Sequence, residues 1–310
     1  MKIVTITLNP SLDKSTFLER LQPDKKLRCE PPSYEPGGGG INVSRAIKIL
    51  NGESLAIYLA GGPTGDKIQE LLTKEGIDQN CIRVNNPTRE NLMVIERSTD
   101  NQYRLGMPGN EVSKEELQTC LNMIKDLPDQ VEYLVASGSL PPGAPDDFYG
   151  KIAAIAKDKG IKCFIDTSGK ALLKAAGMGV YLMKPNLREL SQLANKDHIS
   201  GMEQEDIARK VISEGKANIL TVSLGARGAM VATEDSIEYV VPPTVKPVSA
   251  VGAGDSMVAG VVLSMSRGKS LQDAIKFGVA AGTAATMTPG SELCRKKDVD
   301  EIFKWLSQNA

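Results

Sequence analysis

The sequence predicts an α/β protein, a three-layer sandwich in which helices cover both faces of a mostly parallel central sheet. Short β-branched runs alternate with segments whose apolar residues recur at helical spacing, the rhythm of successive βα units. Most of those runs end in polar or glycine-rich positions, Asn9, Ser137, Asp166, Asn186 and Gly225, which marks one rim of the sheet as the place for chemistry. Two glycine clusters, Gly37 to Gly40 and Gly252-Ala253-Gly254, each lead into an apolar helix.

Residues 3–8 form a first strand, closed by Asn9-Pro10, and Asp13 lies just beyond it, where ligands of open α/β sheets gather. From 13 to 36 the helical period disappears and Pro23, Pro31, Pro32 and Pro36 accumulate, so this segment is expected to add short strands of its own. It carries Lys25, Lys26 and Arg28, which as residues alone read equally as a solvated basic turn. Next, Gly37-Gly38-Gly39-Gly40-Ile41-Asn42 enters a helix. Four glycines are costly in conformational entropy, and a flexible linker does not normally run straight into a helix, so close backbone approach to a ligand is expected. Asn42 would offer that ligand both a donor and an acceptor.

Residues 54–60 read as a strand, 61–65 as a turn and 66–74 as a helix. The rhythm breaks again at 89–107, where Arg89–Glu96 and Gln102–Leu105 look like strands joined by Thr99-Asp100-Asn101. The segments 13–36 and 89–107 are expected to form one small β-sheet lid inserted in a single α/β domain spanning 1–310, with Arg89 and Arg104 placed to fork a phosphate. A polar helix from 114, strands at 133–136 and 163–165 with a helix at 146–157 between them, and a strand at 180–183 follow. That last strand runs into Lys184-Pro185-Asn186 and a helix carrying Glu189; after another helix, the strand at 219–223 ends in Leu224-Gly225-Ala226-Arg227-Gly228.

The chain closes with helices expected at 256–266 and 271–287, rich in small residues that let them pack closely; among these Gly282 and Thr283 are candidates for function. Before the first helix, Gly252 and Gly254 leave N–H groups bare where the helix aims its positive end, so an anion can sit there without a lysine. Asp255 at the edge of such a site suggests chemistry on a phosphate, although a tight entry into a packed helix explains the glycines equally well when they are taken alone.

Composition narrows the classes of function. The chain has 310 residues, 41% apolar and 24% charged, with a formal net charge of −1, so nothing attracts a polyanion globally. Only 4% of residues are aromatic, which argues against a stacking surface for nucleic acid. Five scattered cysteines without C-x-x-C spacing fit a reduced compartment, and no run approaches a membrane span, so a cytoplasmic protein is expected. The one histidine, His198, lies in a polar stretch and reads as a surface residue. Gly268-Lys269-Ser270 lacks the upstream P-loop glycine, Leu263 standing in its place; no G-x-G-x-x-G occurs, and Ser139 lacks a nucleophile-elbow setting.

Together, Gly37 to Asn42 and Gly252 to Asp255 resemble the two signature regions of the ribokinase-like, or PfkB, family of carbohydrate kinases. The agreement continues through Thr7-Leu8-Asn9-Pro10-Ser11-Leu12-Asp13, Ser137-Gly138-Ser139-Leu140-Pro141, Lys184-Pro185-Asn186 with Glu189, and Val222-Ser223-Leu224-Gly225, in family order over nearly the whole chain. Lys26-Leu27-Arg28-Cys29 and Glu35-Pro36 ahead of the glycine run look most like the 6-phosphofructokinases of the family. Related 1-phosphofructokinases and tagatose-6-phosphate kinases commonly place lysine in that run, where this chain has Gly38 or Gly39.

The resemblance implies the ribokinase-like fold and ATP-dependent phosphorylation of the C1 hydroxyl of fructose 6-phosphate to fructose 1,6-bisphosphate. Tagatose 6-phosphate or fructose 1-phosphate is the alternative substrate, and a non-catalytic sugar-phosphate sensor the alternative of another class. It implies that Asp255 accepts the hydroxyl proton while Gly252, Ala253 and Gly254 present N–H groups to the transferring phosphoryl. Asp255, beside a helix N-terminus, is expected to be a weak base. Asp13, Gly38, Gly39 and Asn42 would hold the sugar, and Lys26, Arg28, Arg89, Arg104 and Ser139 its phosphate. Lys184, Asn186, Ser223, Gly225, Gly228, Gly282 and Thr283 would border ATP, with Asn186 and Glu189 acting on Mg²⁺ through water. Ser249, Val251, Ala285, Thr288 and Gly290 would surround a monovalent cation such as K⁺. The small sheet would also serve as a homodimer interface.

Overall fold

The computed structural model describes residues 1–201 and 203–309. In chain order the first elements are β1 (Ile3–Thr7), β2 (Ser11–Leu18), β3 (Ser33–Gly37), α1 (Gly39–Ile49), β4 (Leu55–Ala60), α2 (Gly62–Lys74) and β5 (Asp78–Arg83). There follow β6 (Arg89–Glu96), β7 (Gln102–Leu105), α3 (Lys114–Lys125), β8 (Tyr133–Ser137), α4 (Phe148–Asp158), β9 (Lys162–Asp166), α5 (Gly169–Ala175) and β10 (Leu182–Met183). The last are α6 (Leu187–Leu193), α7 (Gln204–Ser213), β11 (Ile219–Ser223), β12 (Ala229–Ala232), β13 (Ile237–Val240), α8 (Ala253–Ser266), α9 (Leu271–Thr286) and α10 (Lys296–Asn309).

Nine strands form the main sheet in the order β13-β12-β11-β10-β9-β8-β1-β4-β5, parallel from β5 to β11, with β12 and β13 added as an antiparallel hairpin. Successive residues of β1 serve opposite layers. Val4 and Ile6 pack with α3 to α7, whereas Ile3 packs with α1, α8, α9 and α10. The mostly parallel sheet and its two helical layers agree with the sequence.

The interruptions of the rhythm form a separate four-stranded sheet, β3-β2-β6-β7, in which β2 and β6 run parallel and the outer pairs antiparallel. Its first strand starts at Ser11, slightly before the expected segment, and Asp100 makes the β6–β7 turn at φ 59°.

Some boundaries differ for identifiable reasons. The expected turn at 61–65 is largely helical, because Pro63 in the first turn of α2 sacrifices an N–H that has no partner there anyway. α8 begins at Ala253 rather than 256, Gly252 serving as its left-handed cap at φ 69°. Strands β5, β12 and β13 and helices α5 and α10 had no counterpart in the sequence reading. α8 and α9 do pack as closely as their small residues suggest: a Cβ on Gly260 would lie 2.8 Å from the Gly278 Cα.

Candidate active site

The carboxyl ends of β1, β8, β9, β10 and β11 and the N-termini of α1 and α8 meet at one rim. The glycine run is demanded there by the protein's own backbone. A Cβ on Gly39 would lie 2.3 Å from Ser137 Oγ and 2.7 Å from the Gly138 nitrogen, and one on Gly40 would lie 2.4 Å from the Ile6 carbonyl oxygen. Gly37 and Gly38 are crowded by Asp13 and by Thr7, Gly38 at φ 117°. Strand ends and their side chains thus fill the space that a Cβ would take, and α1 is driven into the rim. That insertion brings Asn42 to Asp255, whose Oδ2 accepts from Asn42 Nδ2 at 2.9 Å.

Asp255 lies in the first turn of α8, half-buried, with Asp166, Lys184 and Asp13 as charged neighbours. Burial, aided by the Asp166 charge, pushes its carboxyl up to about 6 against the lowering effects of Asn42 and Lys184. This corrects the expectation of a weak base: removal from water outweighs the helix N-terminus. Lys184 pairs with Asp166 at 3.2 Å. Burial alone would lower its pKa, but Asp166, Asp255 and Glu189 together hold the ammonium above its ordinary value. Its Nζ would be 3.2 Å from a Cβ on Gly254, so the second glycine of the cluster leaves room for a lysine.

Asn186 caps α6 in a reciprocal box with Glu189, each side chain accepting the other's backbone N–H at 2.9 Å. Burial raises the Glu189 pKa, with a further contribution from Asp166. The Asp166 charge thus acts on both Glu189 and Asp255, and all three carboxyl groups act on the single ammonium of Lys184. Among the described residues no cluster of three His, Cys, Asp or Glu side chains has metal-ligating geometry.

Two cavities flank the segment 251–254. One, of about 470 Å³, is lined by Ser223, Gly225, Gly228, Gly282 and Thr283 together with Ala253 and Gly254. The other, of about 160 Å³, lies under the lid between Asp13, Asn91, Arg104, Val251 and Ser291. The entry to α8 is the wall between them. A larger hollow of about 850 Å³ around Lys162, Tyr181 and Arg209 holds none of the candidate residues.

Asp13 turns one oxygen to Ser11 Oγ at 2.7 Å and Asn91 Nδ2 at 2.9 Å, and burial raises its pKa. Arg89 donates to the carbonyls of Asn9 at 3.0 Å and Met107 at 2.9 Å, while Arg104 reaches Ser249 Oγ at 3.2 Å. The Arg89 guanidinium is thus held by backbone carbonyls, whereas exposed Arg104 is bonded through Nη2 alone. Ser139 accepts from Asn9 Nδ2 at 3.1 Å. Lys26 and Arg28 are exposed between β2 and β3 and line neither cavity. The loops of the expected cation site do adjoin: Ser249 Oγ donates to the Gly290 carbonyl at 2.8 Å and Thr288 Oγ1 to the Ala285 carbonyl at 2.8 Å, with Val251 N donating to Ser249 Oγ at 3.2 Å.

Four contributors were missed in the sequence. In the sequence Asp166 reads only as a strand end; its proximity to Lys184 comes from the pairing of β9 with β10. Asn91 and Ser291 carry no local signal. The segment from Pro242 to Pro247, which lines the larger cavity, could have been flagged by its prolines.

The chain is similar to known proteins along nearly its whole length. Residues 5–298 match the model of the pfkB family carbohydrate kinases. The chain is 40% identical to ATP-dependent 6-phosphofructokinase isozyme 2 of Escherichia coli strain K12, over 99% of this chain and 100% of that one. It is 35% identical to 1-phosphofructokinase of Borreliella burgdorferi, covering 97% and 96% of the two chains. The crystal structure of phosphofructokinase-2 from Escherichia coli in complex with potassium superposes with a TM-score of 0.94 at 40% identity, covering 99% of each chain. With the signature residues gathered at one rim and this similarity running from end to end, the chain belongs to the pfkB family of carbohydrate kinases.

Proposed function

We propose that this protein is an ATP-dependent 6-phosphofructokinase, transferring the γ-phosphoryl group of ATP to the C1 hydroxyl of fructose 6-phosphate. The observation that carries the proposal is the position of the α8 entry: Val251 lines the cavity under the lid, while Ala253 and Gly254 line the larger one. An acceptor and a donor in those cavities would meet beside Asp255, whose carboxyl, pushed up to about 6, is a competent proton acceptor near neutrality. The name of the Escherichia coli relative supports the choice of sugar.

In this reading Asp255 takes the C1 hydroxyl proton while Asn42 holds the carboxylate's other oxygen. The N–H groups of Gly252, Ala253 and Gly254 stabilise the transferring charge, and Lys184 adds a positive charge on the same side. Asp13, steadied by Ser11 and Asn91, with Gly38, Gly39 and Asn42, binds the sugar. Arg104 at the cavity wall, with Arg89 and Ser139 beyond it, would hold the sugar's phosphate, joined by Lys26 and Arg28. Ser223, Gly225, Gly228, Gly282 and Thr283 border the nucleotide. Mg²⁺ would accompany ATP, screening phosphate charge, with Asn186 and Glu189 holding its water. A monovalent cation would sit between the Ser249–Val251 and Ala285–Gly290 loops, a reading supported by the relative solved with potassium.

The whole of 1–310 is taken as one kinase unit carrying its lid, working as a cytoplasmic homodimer. Exposed Tyr34, Tyr103 and Leu105 on the lid support the interface; no helix among the described residues is long and apolar enough to cross a membrane. The test is ATP consumption measured side by side with fructose 6-phosphate, fructose 1-phosphate and tagatose 6-phosphate. Preference for fructose 6-phosphate is expected. Preference for fructose 1-phosphate would favour the activity named for the Borreliella relative, and no turnover of any would favour a sensor.

A further inference from the structure

The lid's two outer strands, β3 and β7, each send one charged side chain to the loops beside the α8 entry. From β7, Arg104 donates to Ser249 Oγ at 3.2 Å. From β3, Glu35 accepts a hydrogen bond from the Ser291 hydroxyl. Between these points the loops are joined, since Ser249 Oγ donates to the Gly290 carbonyl at 2.8 Å. An unbroken path, Arg104–Ser249–Gly290–Ser291–Glu35, therefore runs from one edge of the lid to the other through the loop before α8 and the loop after α9.

Glu35 is held from behind. Arg45 of α1, only 8% exposed, lies 3.6 Å from its carboxylate, donates to the Pro36 carbonyl at 3.1 Å and pairs with Glu75 at 2.8 Å. A hydroxyl donating to a carboxylate makes one of the stronger kinds of hydrogen bond, and this carboxylate is anchored to the helix that carries Asn42. Fixing Ser291 fixes the adjacent Gly290 carbonyl, which in turn orients Ser249 Oγ. Ser249 stands three residues before Gly252, the cap of α8.

We propose that Glu35 and Ser291 are positioning residues for phosphoryl transfer: their contact is a latch by which the lid holds the α8 entry in its reactive arrangement. This rests on the kinase reading above. Neither residue needs to touch the nucleotide: Ser291 lines the cavity under the lid and does not line the larger one.

The test is steady-state kinetics of the full chain with ATP and fructose 6-phosphate for Ser291→Ala, Ser291→Thr, Glu35→Ala and the Glu35→Ala/Ser291→Ala double variant. Ser291→Ala is expected to lower kcat about tenfold with little change in the KM for ATP, because the loss is one of positioning. Ser291→Thr keeps the hydroxyl and should restore most of kcat. The double variant should be no slower than Glu35→Ala alone, since both changes remove one contact. Wild-type kcat in Ser291→Ala, a threonine variant as slow as the alanine one, or losses that multiply in the double variant would each overturn the latch. So would a kcat loss that only follows a fall in thermal unfolding midpoint. Turnover by the wild type tests the kinase reading, and the variants measured relative to it test the latch, so the two can fail separately.

Discussion

Asn42 Nδ2 donates to Asp255 Oδ2 at 2.9 Å, joining the first turns of α1 and α8. These are the helices entered through the two glycine clusters, so the features that stand out most in the sequence are in hydrogen-bonding contact. With one carboxylate oxygen held by an amide, the pair would set the direction in which the proposed base, Asp255, accepts a proton.

That relationship predicts a pH profile. In the proposed reaction Asp255 works as the carboxylate; its carboxyl is pushed up to about 6, so kcat/KM for the sugar phosphate should fall on the acid side with a limb near that pH. The Asn42 hydrogen bond lowers this pKa, so Asn42→Ala should move the limb upward as well as lower the plateau. Profiles of wild type and variant that coincide would remove Asn42 from this role.

Asp255 should also weaken the fold it serves. Its carboxyl goes from an ordinary 3.8 to about 6 on folding, so the folded state binds the proton more tightly than the unfolded state. The penalty is absent below the lower value, grows as pH rises between the two and is complete above the upper one. Asp255→Asn is therefore expected to lose about 10²–10⁴-fold in turnover and yet melt at a higher temperature at neutral pH, the difference shrinking on acidification. Calorimetry across that range checks the sign, and a variant that melts lower at neutral pH would contradict it.

Strand ends were legible in the sequence because apolar runs stop abruptly at Asn9, Ser137, Asp166, Asn186 and Gly225. β5 was not, since Asp78-Gln79-Asn80-Cys81-Ile82-Arg83 pairs only with β4 at the sheet edge and carries mostly polar residues. The high conformational cost of the glycine run could be read from composition, but what fills the vacated space could not. Ser137, Gly138 and Ile6 come to it only through the order of β8, β1 and α1. The Lys184–Asp166 pair was hidden for the same reason, being local to two adjacent parallel strands but not to the chain.

The packing account of the glycines makes its own prediction. Gly40→Ala gains about 1 kcal/mol of intrinsic helix propensity, but its Cβ would lie 2.4 Å from the Ile6 carbonyl oxygen, a backbone atom that cannot step aside. Overpacking of this kind costs about 1–3 kcal/mol, so net destabilisation should win. Gly106→Ala, where nothing lies within 4 Å of the new carbon, is the neutral control. Urea unfolding midpoints compare the two, and equal midpoints would argue that the clearance serves a ligand after all.

Lys184 can be separated from Asp255 by charge. Lys184→Met leaves Asp166, Glu189 and Asp255 without the cation that lowers the pKa of the latter two. The acid limb should shift upward and the KM for ATP should rise. Breaking a buried pair from one side typically costs about 3–5 kcal/mol, so a lower unfolding midpoint is expected as well. An unchanged acid limb in a folded variant would show that Lys184 does not act on Asp255.

Lys26 and Arg28 raise the question of which site they serve. Both are exposed on the lid between β2 and β3, and neither lines the cavity that holds Arg104 and Asp13. In a dimer joined through exposed Tyr34, Tyr103 and Leu105 they would reach the phosphate end of the other subunit's pocket. Sedimentation should therefore show a dimer-sized species, and Lys26→Ala/Arg28→Ala should raise the KM for fructose 6-phosphate steeply. Mixing that variant with Asp255→Asn distinguishes the arrangements. If the basic residues act across the interface, each mixed dimer contains one site with an intact Asp255 and intact basic residues. Random exchange would then restore roughly a quarter of wild-type activity at subsaturating sugar. If they act within their own subunit, no intact site is formed and activity stays at the level of the separate variants.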